Sequence, residues 1–359
     1  MSTPTLSSVP TPPSSTRVLV TGGSGFIAGH TIVQLLAAGH RVRTTVRDLA
    51  REHGVRDVLA AAGAASAHDR VALEFTAADL LDDAGWAAAL DGVDAVLHVA
   101  SPVHPGHVED EQELIVPARD GALRVLRAAR AAGVRRVVLT SAFHAVGWGH
   151  PHDEHVFTES DWTVLDGPGV DAYGKSKTLA ERAAWEFAAG SGDGFELVTV
   201  LPVAVMGPVM GTEVSGANRI VQRMLAGGMP AFLDLWFPIV DVRDVARGHL
   251  LALSTPAAAG QRFLLAGDPA LPMAEVGAVL RERLGSAAAR VPTQTVPNEV
   301  VRANAASSPE FAAVLPDLGY ARRVSGEHAR QCSAGRPGPP PRRSRRAGSP
   351  SSPPAWPGL

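Results

Sequence analysis

The sequence predicts an α/β protein built on a doubly wound parallel sheet. Two observations carry that expectation. Short β-branched runs alternate with longer segments of helical periodicity through the first two-thirds of the chain, the pattern of strands covered by crossover helices. A glycine-rich turn stands between the first strand and the first helix. Right-handed crossovers between parallel strands then give the doubly wound arrangement.

Each element has its own signal. Residues 17–21, Arg-Val-Leu-Val-Thr, read as the first strand. A helix follows over about 25–38, with Ile27, Ile32, Leu35 and Leu36 on its apolar side, and Gly39 ends it. Residues 42–46 form a second strand, 49–62 a second helix and 71–76 a third strand. Trp86 and Leu90 mark a short helix before a fourth strand at 94–99. A long helix spans about 109–132, and a fifth strand covers 136–140. A Gly/His/Pro-rich loop at 147–169 precedes a helix at 173–189 and a strand at 196–201. Beyond about 205 the alternation becomes irregular, and no internal repeat is present.

Composition narrows the function classes. Of 359 residues, 45% are hydrophobic and only 5% aromatic, so the interior is expected to be mostly Ala, Val and Leu. A single cysteine, Cys332, excludes an intramolecular disulfide and a thiolate metal cluster. No apolar run has membrane-spanning length; the longest, 197–210, is broken by Pro202 and Pro208. Residues 1–16 lack the basic start and apolar stretch of a secretory signal and are expected to be a disordered leader. A cytoplasmic protein is the expectation. Residues 331–359 hold five arginines, eight prolines and no acid, so a disordered tail is expected there. The body is therefore more acidic than the net charge of −3 implies. That argues against nucleic acid as the main partner.

The chemistry begins at the first βα turn, Gly22-Gly-Ser-Gly25-Phe-Ile-Ala28-Gly29. Gly22 permits a tight turn, Gly25 lets backbone amides approach a pyrophosphate, and Ala28 allows close helix–sheet packing. The anion would rest on the helix N-terminus. Arg47 stands at the end of the second strand, where an NAD site would place an acid, so it suits a 2′-phosphate, with Arg43 as an assistant. Asp79, in Ala78-Asp79-Leu80, is placed to meet the adenine, and Ala100, in His98-Val-Ala-Ser-Pro102, lets the backbone pass close to the cofactor. Lys175 and Lys177 are the only lysines, in a chain whose other cations are arginine. Tyr173 and Lys177 are four residues apart and share a helix face. A cation there is expected to lower the phenol pKa and make a proton donor and acceptor.

Val-Thr-Gly-Gly-Ser-Gly-Phe-Ile (20–27), Thr-Val-Arg-Asp (45–48), Ala-Asp-Leu (78–80), His-Val-Ala-Ser-Pro (98–102), Tyr173-x-x-x-Lys177 and Pro202 with Gly207-Pro208 occur in order across about 17–330. Together they resemble the extended short-chain dehydrogenase/reductase superfamily (the NAD-dependent epimerase/dehydratase family). The resemblance is closer to its dihydroflavonol-reductase-like and aldehyde-reductase-like branch. It implies a Rossmann-type core over about 17–205 and a smaller C-terminal substrate lobe mainly over 206–330, interleaved in sequence. It implies Tyr173 and Lys177 as catalytic residues, with Lys177 also on the nicotinamide ribose and Arg47 reading NADP(H). Gly22, Gly25, Phe26, Ile27, Asp79, Leu80, Ala100 and Pro202 complete the implied cofactor site. The implied activity is NADPH-dependent reduction of an aldehyde or ketone by a monomer or homodimer. A nucleotide-sugar epimerase or dehydratase and a non-catalytic NADP-binding protein are the rivals.

The chain departs from that pattern in two places. Where the family has a catalytic serine ending the fifth strand, Thr140-Ser141-Ala142 places an alanine. Thr140, Ser141 in a slipped register, or His144 are the candidate substitutes. After Arg330 a further amphipathic helix is replaced by the Pro/Arg/Ser-rich tail, through a frame change or divergence. His150, His152, Asp153, Glu154 and His155 read as a solvated loop rather than a metal site. Phe143, Trp148, Met206, Trp236 and Phe237 are candidates for a nicotinamide pocket or ordinary core. Asp241-Val-Arg-Asp244 reads as a helix start.

Overall fold

The computed structural model describes residues 16–333 except 103–107, 109, 193 and 268. The expected leader and most of the expected tail lie outside the described residues. The first half runs β1 (Arg17–Val20), α1 (Phe26–Ala37), β2 (Arg41–Val46), α2 (Glu52–Ala61), α3 (Ala67–Ala72), β3 (Leu73–Ala77) and α4 (Trp86–Leu90). It continues with β4 (Ala95–His98), α5 (Gln112–Ala131), β5 (Arg136–Thr140), β6 (Val156–Phe157), α6 (Ala172–Ala189) and β7 (Glu196–Pro202). The remainder holds β8 (Ala204–Met206), α7 (Asn218–Ala226), β9 (Trp236–Phe237), β10 (Ile239–Asp241), α8 (Val242–Ser254) and β11 (Arg262–Leu265). Last come β12 (Leu271–Pro272), α9 (Met273–Leu284), α10 (Asn298–Asn304), α11 (Pro309–Val314), β13 (Arg323–Val324) and α12 (Glu327–Ser333).

Seven strands form one parallel sheet in the order β11-β7-β5-β4-β1-β2-β3. Alternation along the strands divides the core into two layers. Val18 and Val20 face Ile32 and Leu35 of α1, Leu59 of α2 and Ala252 of α8. Leu19 and Val96 face Trp86 of α4, Leu126 of α5 and Ala184 of α6. The strand order reverses between β1 and β4, which opens a crevice at their carboxyl ends.

Three expectations change. Val71 is not in the third strand: Ser66 and Asp69 form a capping box that starts α3, and the strand begins at Leu73. The irregular region after 205 returns to the sheet, because α8 packs beside α1 and β11 pairs with β7. The first residues of the tail expected from 331 are ordered: Gln331 and Cys332 continue α12, and Cys332 is buried in the core. Two short pairings matter for the site. β8 pairs with β10, and β13 pairs with β6, which brings the C-terminal segment against the 147–169 loop. No helix among the described residues is long and apolar enough to cross a membrane.

A buried carboxylate ties α6 to the sheet. Glu181 accepts from Ser141 Oγ (2.7 Å), Thr199 Oγ1 (2.8 Å) and Arg262 Nε (2.8 Å), joining β7, β11 and the residue after β5. Replacing Glu181 by Leu strands the Arg262 guanidinium, so we expect a loss of about 3–5 kcal/mol in urea unfolding. The double replacement Glu181→Leu with Arg262→Leu should lose less than the single one. Equal stability of parent and single variant would refute the assigned role.

Candidate active site

The glycine turn forms a cradle that side chains would fill. Gly22 has φ +75°, a left-handed conformation, and a Cβ there would lie 2.9 Å from Ala100 Cβ. A Cβ on Gly23 would lie 2.3 Å from Thr44 Oγ1, and one on Gly25 would lie 3.1 Å from the Gly22 carbonyl. The turn is held by Gly22 N–H to Thr45 Oγ1 (2.9 Å) and Gly25 N–H to Gly22 O (2.8 Å). No side chain caps α1, so the amides of Phe26 and Ile27 at its first turn remain donors for an anion. Ala100 N–H donates to Thr21 Oγ1 (2.9 Å), which fixes the end of β4 against the cradle. The same hydroxyl pairs with His98 Nδ1 at 2.9 Å. Burial, aided by the Lys177 charge, lowers the His98 pKa to about 3, so this ring is neutral.

At the end of β2 the two arginines diverge. Arg47 is exposed and has no hydrogen bond or ion pair to any described residue. Asp48 does not claim it, because the carboxylate caps the next turn through Ala50 N–H (2.9 Å). Arg43 is a correction. Its guanidinium is spent on Glu74 (3.0 and 2.8 Å) and the Asp91 carbonyl (2.7 Å), leaving it unable to assist with a phosphate. Asp79 Oδ1 accepts from Leu81 N–H (3.0 Å), while Oδ2 has no partner among the described residues. Leu80 is buried against Gly121 of α5.

Tyr173 and Lys177 sit one turn apart near the start of α6, which Asp171 caps through Gly174 N–H (2.7 Å). Lys177 Nζ lies 5.8 Å from the Tyr173 ring centroid and donates to Ser101 Oγ (2.9 Å). That bond joins α6 to the end of β4 and so to the cradle. Desolvation lowers the Lys177 pKa to about 8, with Glu181 opposing the fall. Lys175 is committed elsewhere, to Glu111 at 2.8 Å. Among the described residues, nothing hydrogen-bonds the Tyr173 hydroxyl.

The expected lowering of the Tyr173 pKa is overturned. Protein packed around the phenol pushes it up to about 12, and Asp171 adds to the rise. Because 41% of the residue stays open to solvent, water reaches it and the push is weaker than full burial would give. Lys177, engaged with Ser101, does not offset it. Pro202 ends β7 beside Leu265 of β11. Beyond it, Asn218 holds the Gly207 backbone by two bonds of 3.2 Å. An open cavity of about 490 Å³ there is lined by Val209, Val214, Val221 and Leu225, with Asn218 and Gln222 as polar groups.

The hydroxyls near the missing serine are both occupied. Thr140 Oγ1 pairs with the buried His249 Nε2 (2.7 Å), and Ser141 donates to Glu181. Ala142 is extended and a 3₁₀ turn begins at Phe143, so the strand geometry expected to carry on to His144 ends sooner. His144 nevertheless packs edge-on against Tyr173, with ring centroids 4.9 Å apart. The loop histidines are otherwise engaged: His150 Nε2 contacts the Val146 carbonyl and His152 stacks on Tyr320. Phe143 and Trp148 share one apolar cluster, while Phe237 belongs to another, so these three candidates do not line one pocket together. Asp241 caps α8 through Arg243 N–H (2.7 Å). Ser101 lies within the His98–Pro102 motif, but its bond to Lys177 depends on α6 approaching the end of β4 and has no local signal. Arg322 gave no local signal because it reaches Trp148 from the far end of the chain.

Comparison with known proteins agrees with this geometry. The sequence model of the NAD dependent epimerase/dehydratase family matches residues 18–266. Cinnamoyl-CoA reductase 1 of Arabidopsis thaliana is 37% identical over 259 residues, covering 71% of each chain. Anthocyanidin reductase ((2S)-flavan-3-ol-forming) of Vitis vinifera is 32% identical over 268 residues, covering 70% of this chain and 77% of that protein. In fold, the chain is similar to the crystal structure of Gre2 in complex with NADPH from Candida albicans. The TM-score is 0.73 at 24% identity, over 89% of this chain and 93% of that one. With the family match covering most of the sheet and its crevice, the chain belongs to the NAD-dependent epimerase/dehydratase family, within the extended short-chain dehydrogenase/reductases.

Proposed function

We propose that this chain is an NADPH-dependent reductase of aldehydes or ketones, able to run in reverse as an alcohol dehydrogenase. The observation that carries the reading is the bond from Lys177 to Ser101, which sets the Tyr173 turn beside the glycine cradle. The cradle, the uncapped start of α1 and the unpaired Arg47 fit the pyrophosphate and 2′-phosphate of NADP(H). When bound, the reduced nicotinamide supplies a hydride to the carbonyl carbon. Tyr173, whose phenol stays protonated through neutral pH, gives its proton to the carbonyl oxygen. Lys177 hydrogen-bonds the ribose and stabilises the phenolate left behind, which solvent reprotonates.

The plant relatives are named for reduction of a cinnamoyl thioester and of anthocyanidins, both aromatic. A spectrophotometric screen of NADPH oxidation should therefore begin with aromatic aldehydes and ketones. Ala142 favours one second reading, a cofactor-binding protein without turnover; NADPH binding with no oxidation by any compound in the screen would select it.

Cofactor choice is expected to follow Arg47. NADPH should bind at least about tenfold more tightly than NADH, since a charge-assisted phosphate contact contributes roughly 1.5–3 kcal/mol. Arg47→Asp should erase or reverse the preference, and equal affinities in the parent by titration calorimetry would rule the assignment out.

Tyr173→Phe should abolish reduction and leave NADPH affinity nearly unchanged, because only the proton donor is lost. Lys177→Arg should also be severely impaired, as the broader guanidinium does not fit an ammonium site. Activity above about a tenth of parental in either variant would make the pair structural.

Lys177 also sets a pH limit. With its pKa near 8, the side chain is an ammonium below that pH and a neutral amine above it. NADPH affinity should therefore fall as pH rises through about 8, and Lys177→Met should flatten this limb of the binding curve. A parent whose affinity is constant from pH 7 to about 9.5 would show that the ammonium makes no contact with the cofactor.

A further inference from the structure

We propose that His144 donates a second hydrogen bond to the substrate carbonyl oxygen, beside the proton donor Tyr173. The inference rests on the reductase reading above. Hydride addition places negative charge on that oxygen, and a second fixed donor there accelerates such reactions by about 10²–10³. Ala142 supplies only a methyl group, and the neighbouring Thr140 and Ser141 hydroxyls are committed to His249 and Glu181. His144 is the remaining polar side chain of this turn. Its ring lies edge-on to Tyr173 at 4.9 Å between centroids, and neither ring nitrogen has a partner among the described residues.

The ring is also held in place. It stacks on Trp148 with centroids 3.9 Å apart and planes 11° from parallel. The Arg322 guanidinium lies 4.3 Å from the same indole and is anchored by the Gly147 carbonyl (2.8 Å) and by Asp317. The His144 carbonyl accepts from Thr163 Oγ1 (2.8 Å), fixing the backbone beneath the ring. The charged groups acting on the imidazole are Arg322 and Asp317 from the C-terminal segment and Lys177 from α6. With burial as the main cause, they leave its pKa at about 4. At neutral pH the ring is therefore uncharged, with one N–H donor and one acceptor nitrogen. A neutral imidazole serves as an electrophilic donor through its weakly acidic N–H, without the second, readily lost proton of an imidazolium.

The test keeps the ring stack and removes the donor. His144→Phe should lower kcat about 10²–10³-fold on the carbonyl compound that the parent reduces fastest. NADPH affinity and melting temperature should hold, and Ala142→Ser in that background should recover at least about tenfold. A second readout needs no substitution. In ¹⁵N-labelled parent bound to NADP⁺, the His144 N–H resonance should move when the product alcohol is added. A Phe variant with kcat within about threefold of the parent, or an unmoved resonance, overturns the proposal. A parent that binds NADPH but reduces no carbonyl compound overturns the reductase reading instead, and this inference falls with it. The resonance measurement decides the matter even where the Phe variant does not fold.

Discussion

The position of the Tyr173–Lys177 pair depends on a carboxylate buried in the middle of α6. Glu181 lies one turn beyond Lys177, so whatever fixes it fixes the helix face that presents the Tyr173–Lys177 pair. A charge so deeply buried is tolerated only when fully paired, and the pairing is complete. Arg262 meets it from β11 and spends its remaining donors on the carbonyls of Glu159 (2.6 Å) and Asp161 (2.9 Å). Trp162 covers the guanidinium, which lies 3.7 Å from its ring centroid. Three strand segments and a loop thus converge on one side chain. The same pairing removes Ser141 from the list of available hydroxyls, so a structural requirement in the core decides which groups remain free at the surface of the crevice.

The strands and helices that lie next to each other in sequence were readable from it, because their signals are local. β1 with its alternating Val18, Leu19 and Val20, and the glycine turn, each depend on a few adjacent residues. β11 was not readable. Its four residues carry no distinctive period, and its place beside β7 comes from long-range pairing and from Arg262 finding Glu181. The β-branched Val71 suggests a strand, whereas the Ser66–Asp69 capping box turns that segment into a helix, leaves Val71 82% exposed and delays β3 to Leu73.

The cofactor site shows the same division. Arg43 and Arg47 are chemically identical in sequence, and only tertiary contact separates them. Arg43 lies inside β2, where the neighbouring strand supplies Glu74 across the sheet. Arg47 lies past the strand end, where the nearest acid has turned to cap a helix. The fold spends Arg43 and leaves Arg47 free, which is why the proposed phosphate contact falls to Arg47. Spacing along a helix likewise brought Tyr173 and Lys177 onto one face, but it carried no information about desolvation. The ammonium prefers the Ser101 hydroxyl, and packing moves the phenol in the direction opposite to the expected one.

Desolvation acts on Tyr173, His144, His98 and Lys177 and sorts them by role. The phenol is pushed up, the His144 and His98 rings are pushed down, and all three are neutral at pH 7. Lys177 is also pushed toward neutrality, yet a pKa near 8 leaves it charged. Like charges in one crevice oppose one another, so a second cation on His144 or His98 would work against Lys177. The two neutral rings therefore help Lys177 keep its proton, and Lys177 in turn helps keep them neutral. In the proposed reaction a phenolate at Tyr173 has a cation one helical turn away, and among the described residues the anion that acts on it is Asp171, which is occupied by the Gly174 amide. The arrangement favours a protonated phenol at rest and an ion pair only after transfer, the order of events that the proposed reduction requires.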